Sequence, residues 1–272
     1  MAPANAKLRL KVAVKRLVPP RALGLIKSKR EKLRLKVRSA VSDPMQFERH
    51  SPKRECPICG YRGRFWSFGS PPRAEALCPE CLSLERHRLL QILIEYKLRE
   101  LSAARRILHF APEPFLREEL RWVQHYVTVD IAGHGVDCAC AMEALPFADA
   151  AFGALIANHV LEHVSDEGRA LAELRRVLDR GGLMILSVPQ VQGWTTTYED
   201  ENITDPSERR VHFGQEDHHR LYGRDFARRL QRAGFDVKIF QMDQKSEVRY
   251  GLSRGETLFL ARPEIVQAAR DG

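Results

Sequence analysis

The chain has 272 residues, 44% of them hydrophobic and 29% charged, which allows one large soluble domain with its own core plus a small module. The formal net charge is +9, yet residues 1–42 hold thirteen Lys/Arg against the single acid Glu31, so the rest of the chain is slightly acidic. No stretch reaches the ~20 apolar residues that span a bilayer. Lys and Arg interrupt the N-terminus too often for a signal peptide, so a cytoplasmic protein is expected.

Residues 1–51 read as a basic arm. The segments Lys7–Val12 and Lys32–Val37 both read KLRLKV, and Val18-Pro19-Pro20-Arg21 lies between them. The Pro-Pro pair breaks any helix there. The arm is expected to be a solvated, partly helical tail. Its charge suits a polyanion, so peripheral contact with an anionic inner membrane face or with RNA enters as an expectation.

Residues 52–82 are rich in Pro and Gly and carry Cys56-x2-Cys59 and Cys78-x2-Cys81, eighteen residues apart. Two tight turns of this kind can present four thiolates to one ion, and a four-cysteine zinc ribbon is expected. With all four positions filled by protein, the zinc would be structural. Cys138 and Cys140 lie elsewhere and read as ordinary small residues. From Leu82 to Leu101 the leucines recur near helical spacing, which predicts a linking helix over residues 83–104.

From Arg105 to the C-terminus, strands and helices alternate. Strands are predicted at Arg106–Phe110, His125–Asp130, Phe152–Asn158, Leu183–Val188, Val237–Phe240 and Thr257–Ala261. Helices are predicted at Phe115–Trp122, Asp166–Leu178 and Arg224–Ala233, with Gly181-Gly182 ending the second. Repeated β-α-β units predict an α/β, Rossmann-like domain over residues 105–272, with a mostly parallel sheet covered on both faces. Ligands of such sheets bind beyond the carboxyl ends of the strands. The candidate cofactor contacts are therefore Phe110, Ala111 and Glu113 after the first strand, and Asp130 and Ile131 after the second. Asn158, His159, Val160 and His163 follow the third. An acid at position 130 can accept hydrogen bonds from both hydroxyls of a ribose.

The runs EALPFADAAFGALIANHVLEHV and LAELRRVLDRGGLMILSVP extend over about 45 residues. In order, spacing and residue type they resemble class I methyltransferases of the type 11 group. The resemblance implies a seven-stranded sheet and bound S-adenosylmethionine. It sets Asp130 on the ribose, Ala141 and Met142 near the adenine, and His159 and Val160 near the sulfonium. The turn after the first strand departs from the family, reading His109-Phe110-Ala111-Pro112-Glu113-Pro114 where the family has a GxGxG-like turn. This part of the site must be built differently, with Glu113 as a candidate for the methionine amino group. Ala141 stands where the family often has an acid.

Residues Pro189–Gly223 read as a long loop over the acceptor side. Methyl transfer to a hydroxyl needs a general base, and the loop offers His218, His219 and then His212. The turn Asn158-His159-Val160 lacks the Pro-Pro-aromatic signature of enzymes that methylate nucleic-acid amino groups. No cysteine follows that strand to support a covalent cytosine mechanism. The leading expectation is a methyltransferase acting on a small-molecule or glycan hydroxyl. An RNA methyltransferase using the ribbon and arm, and a non-catalytic zinc-containing module, are the alternatives.

Overall fold

The structure is a computed structural model that describes residues 33–37, 41, 53–69, 71–123 and 125–264. Most of the basic arm, including its first KLRLKV copy and its Pro-Pro break, lies outside the described residues. Of the second copy, residues 33–37 are helical. No helix among the described residues is long and apolar enough to cross a membrane.

The described residues form two compact units. One holds the residues up to Leu93, with Glu113–Glu119 and Met242–Glu256; the other holds Ile94–Pro112, Leu120–Gln241 and the chain from Thr257.

The first unit contains two small hairpins, β1 (Arg54–Glu55) with β2 (Arg62–Gly63) and β3 (Trp66–Phe68) with β4 (Arg73–Leu77). Helix α1 (Glu85–Ala103) follows. It begins later than the leucine spacing predicts, because Leu82 takes a left-handed φ of 59° and is consumed by a cysteine turn. The two turns are built alike. Gly60 donates to the Cys56 carbonyl and Leu82 to the Cys78 carbonyl, while the Cys56 and Cys78 amides reach Tyr61 and Ser83 five residues on. Helices α2 (Pro114–Leu120) and, later in the chain, Gln244–Tyr250 also contribute to this unit. The latter was not foreseen; Asp243 caps it by accepting from the Ser246 amide at 2.9 Å.

The second unit is built on β5 (Ile107–Phe110), β6 (Tyr126–Asp130), β7 (Cys138–Ala139), β8 (Phe152–Asn158) and β9 (Leu178–Ser187). The last two strands of its sheet are Phe235–Phe240 and Leu258–Pro263. The spatial order, from the Phe235 strand, is Phe235–Phe240, Leu258–Pro263, β9, β8, β5, β6, β7. The β9-β8-β5-β6-β7 pairings are parallel, and the Leu258 strand runs antiparallel to both neighbours. This is the seven-stranded, mostly parallel Rossmann-like sheet expected. The fully buried runs Ile107–Phe110 and Ala154–Asn158 are what a strand covered on both faces requires.

Helix α3 (Glu167–Val177) starts where Asp166 accepts the Arg169 amide, and it buries Ala170, Leu171, Leu174 and Val177. It passes directly into β9. Gly181 and Gly182 therefore do not end the helix; they sit in the strand, where the register against β8 jumps from Phe152↔Leu178 to Ala154↔Leu183. Residues Pro189–Gly223 are not an open loop. They hold the ribbon β10 (Tyr198–Glu199) with β11 (Arg220–Leu221) and helix α4 (Pro206–Phe213). Asp205 caps α4, Pro206 opens it and Gly214 closes it at φ 85°. A helix α5 (Phe226–Arg232) starts two residues after the predicted point.

Candidate active site

The parallel strands present their carboxyl ends in register. Beyond β5, Ala111 adopts a left-handed φ of 43° and donates to the Val129 carbonyl at 2.8 Å. The missing glycine turn is thus replaced by an alanine in glycine-like backbone geometry. Beyond β8, His159 adopts φ 55° and donates its amide to Ser187 at 2.9 Å. Left-handed non-glycine residues are strained and collect at functional sites. At the end of β6, Asp130 accepts the Ala132 amide at 2.7 Å, which fixes its carboxylate. Ile131 beside it is 80% exposed, an apolar surface next to an acid.

The other expected cofactor residues vary in exposure. Phe110 and Met142 belong to the buried core. Ala141 is half-buried. Asn158 is buried, and its side-chain oxygen accepts the Ser187 hydroxyl. Glu113 falls in the first unit, where its carbonyl accepts the Leu116 and Arg117 amides at the start of α2. Val160 packs against the core ahead of the 3₁₀ turn Leu161–His163.

That turn is held by a residue whose role the sequence did not reveal. Arg220, 4% exposed, donates to the carbonyls of Leu161 at 2.9 Å, Val164 at 2.6 Å and Ser165 at 3.2 Å. It also pairs with Glu199 at 2.9 Å. Glu199 reaches Arg229 at 2.9 Å, and Arg229 pairs with Glu167. Glu167 accepts the buried Tyr222 hydroxyl at 2.6 Å. Burial alone would raise Glu199, but Arg220 and Arg229 hold its carboxyl below the ordinary value. Burial and Glu167 push Tyr222 well above its ordinary value, so it remains a donor. The only sequence signal was a density of Arg, Glu and Tyr in one segment.

Among the three histidines, His212 sits at the surface on Tyr198 at 2.6 Å. His218 is buried; its Nδ1 donates to the Phe213 carbonyl at 3.1 Å. Its ring stands edge-on to His163 at 4.7 Å. His219 is half-buried, and its amide donates to the Glu162 carbonyl at 2.8 Å. Burial, then Arg209 and Arg220, lower His219, and burial, then His163, lower His218. Both imidazoles are thus neutral at pH 7.

In the first unit the four cysteines converge, with one sulfur from each within 4.8 Å of all the others. Cys56 and Cys81 are 3.6 Å apart and Cys59 and Cys78 3.7 Å. Arg88 lies fully buried, and its guanidinium donates to the carbonyls of Ser83 at 2.7 Å, Ala76 at 3.1 Å, Tyr250 at 2.8 Å and Gly251. None of these partners carries charge. A buried cation needs a counter-charge, and four thiolates around a dication would supply it with net −2. The residues fit the expected zinc. Cys138 and Cys140 lie apart, 3.7 Å from each other, and burial and Cys138 push the Cys140 thiol up to about 12.

Residues 108–186 match the family described as "Methyltransferase domain". The match runs from β5 through β9 and contains Asp130, His159 and the 3₁₀ turn. An uncharacterized 37.1 kDa protein in transposon TN4556 of Streptomyces fradiae is 32% identical over 117 residues, 40% of this chain. The chain spans only 34% of that protein's length. The solved structure of YcgJ from Bacillus subtilis is 16% identical, with TM-score 0.46, covering 66% of this chain and 100% of that one. An S-adenosylmethionine-dependent methyltransferase from Mesorhizobium loti is 14% identical, with TM-score 0.45, covering 64% of this chain and 96% of its own.

Proposed function

We propose that this chain, whose residues 108–186 match a methyltransferase family, transfers the methyl group of S-adenosylmethionine to a hydroxyl of a small molecule or glycan. The observation that carries this reading is the family match over the very strands whose carboxyl ends hold the fixed Asp130 carboxylate and the two left-handed turns. Asp130 would accept the ribose hydroxyls, and the exposed Ile131 would cover an apolar face of the cofactor. The bound cofactor supplies an electrophilic methyl carbon on a sulfonium.

A neutral hydroxyl is a weak nucleophile. His219, half-buried and held neutral, is assigned as the base. When bound, the cofactor would give its methyl group to the acceptor oxygen and keep the bonding electrons on sulfur. The hydroxyl proton passes to His219 and then to solvent. The Arg220–Glu199–Arg229–Glu167 chain supports this reading by tying the histidine-bearing segment to the turn after β8.

Calorimetric titration with S-adenosylmethionine and S-adenosylhomocysteine tests the cofactor, with Asp130→Ala alongside. Saturable binding that is lost in the variant is expected. A folded wild-type protein that binds neither ligand would overturn the reading. Label transfer from methyl-labelled S-adenosylmethionine to glycan, small-molecule and RNA panels then identifies the acceptor; label appearing only in RNA would replace the hydroxyl-metabolite reading.

A further inference from the structure

We propose that Glu162, His163 and His218 form a second metal site, one that takes a divalent first-row transition-metal ion and keeps coordination positions open. One potential ligand atom from each of the three residues lies within 4.8 Å of the other two. Two of these side chains are almost wholly buried: Glu162 is 1% exposed and His218 5%. Each ends in a polar atom with no hydrogen-bond partner, Oε2 of Glu162 and Nε2 of His218. A buried acceptor without a partner loses its hydration with nothing in return, so two of them on residues of one cluster call for a shared occupant.

The remaining atoms of the three residues are already used in the way metal ligands are supported. The Nδ1 of His218 donates to the Phe213 carbonyl at 3.1 Å, which leaves the Nε2 lone pair to bind. The Nδ1 of His163 sits 3.0 Å from the Asp217 carboxylate, leaving its Nε2. Oε1 of Glu162 lies 3.2 Å from Nδ1 of His159. Both sides of the cluster are fixed to each other. Arg220 clamps the turn that carries Glu162 and His163, and the His219 amide donates to the Glu162 carbonyl at 2.8 Å.

Two imidazoles and one carboxylate favour Mn2+, Fe2+, Co2+ or Zn2+ over Mg2+ and Ca2+, which prefer oxygen ligands. Three protein ligands leave room for an outside oxygen, unlike the four-cysteine cluster. Its use is a separate step that rests on the methyl-transfer reading: the cation's charge would lower the pKa of an acceptor hydroxyl bound there.

The test is Mn2+ titration of the full-length protein carrying a single equivalent of zinc, enough for the four-cysteine cluster alone, following the electron paramagnetic resonance of free Mn2+. Thiolate sites select softer ions, so the cysteine cluster does not interfere. Wild type is expected to bind about one equivalent. Glu162→Gln and His218→Gln should weaken binding by roughly a hundred-fold or more, and the exposed Asp217→Asn by roughly ten-fold. Circular dichroism melts identify any variant that fails to fold, and Asp217→Asn then decides alone. No binding by wild type, or equal binding by wild type and folded variants, overturns the site. S-adenosylhomocysteine titration of the same samples keeps the two readings apart. Cofactor binding without Mn2+ defeats the metal site only, and Mn2+ binding without cofactor defeats the methyl-transfer reading only.

Discussion

Arg220 and Leu161 stand fifty-nine positions apart in the chain, yet the guanidinium donates to the Leu161 carbonyl at 2.9 Å. One side chain from the ribbon thereby fixes the turn that carries Glu162 and His163. Arg220→Met removes three bonds to carbonyls and the pairing with Glu199. A loss of about 2–3 kcal/mol in unfolding free energy is expected. Arg220→Lys should recover little, because a point charge cannot bridge three carbonyls and a carboxylate together. Denaturant titration of both variants checks this; a lysine variant as stable as wild type would contradict it.

Glu173 and Arg176 hold the turn Leu145-Pro146-Phe147 in place. Glu173 accepts the Leu145 amide at 2.8 Å, and Arg176 donates to the carbonyls of Leu145 and Phe147 at 3.0 and 2.7 Å. The Arg176 bond holds the Glu173 carboxyl below its ordinary value of 4.5. A depressed carboxylate adds stability above its unfolded value and loses it as pH falls through the folded value. Glu173→Gln should therefore cost about 1 kcal/mol at pH 7, after allowing for solvent screening, and nothing once both forms are protonated. Thermal melts of the two proteins between pH 7 and pH 3 should converge at the acid end.

Arg88 ties the zinc reading to a measurable quantity. Metal analysis of the purified protein should give about one zinc per chain, lost in Cys78→Ala. Arg88→Met removes the buried cation beside the sulfurs together with its bonds to four carbonyls. Zinc release to a chromogenic chelator should then be faster than from wild type. Unchanged release would mean that the guanidinium neutralises nothing.

The sheet was legible because buried parallel strands are short apolar runs, and Phe152–Asn158 appears at its predicted limits. Asp130 was legible because the strand HYVTVD ends on it. The cysteine pairs were legible because metal turns have fixed spacing. The ribbon of Tyr198–Glu199 with Arg220–Leu221 was not, since strands of two residues have no periodicity to read. Nor was α4, whose surface is too polar to show a stripe, although Asp205-Pro206 is a start signal that could have revealed it. The convergence of Glu162, His163 and His218 was hidden for another reason. His218 lies fifty-five residues beyond His163, and only the return of the chain through the ribbon brings the two rings to 4.7 Å.

Ala111 holds a left-handed backbone with a methyl group attached, where the family resemblance leads one to expect glycine. A glycine turn is supple in the free protein and must be stilled when a ligand arrives. An alanine in the same geometry costs about 1–2 kcal/mol in the folded state, but its free loop samples fewer shapes. The turn after β5 is therefore stiffer than a glycine turn, and a cofactor held there as proposed would freeze less motion on binding. Substituting glycine at position 111 would relax the fold while leaving the site less prepared.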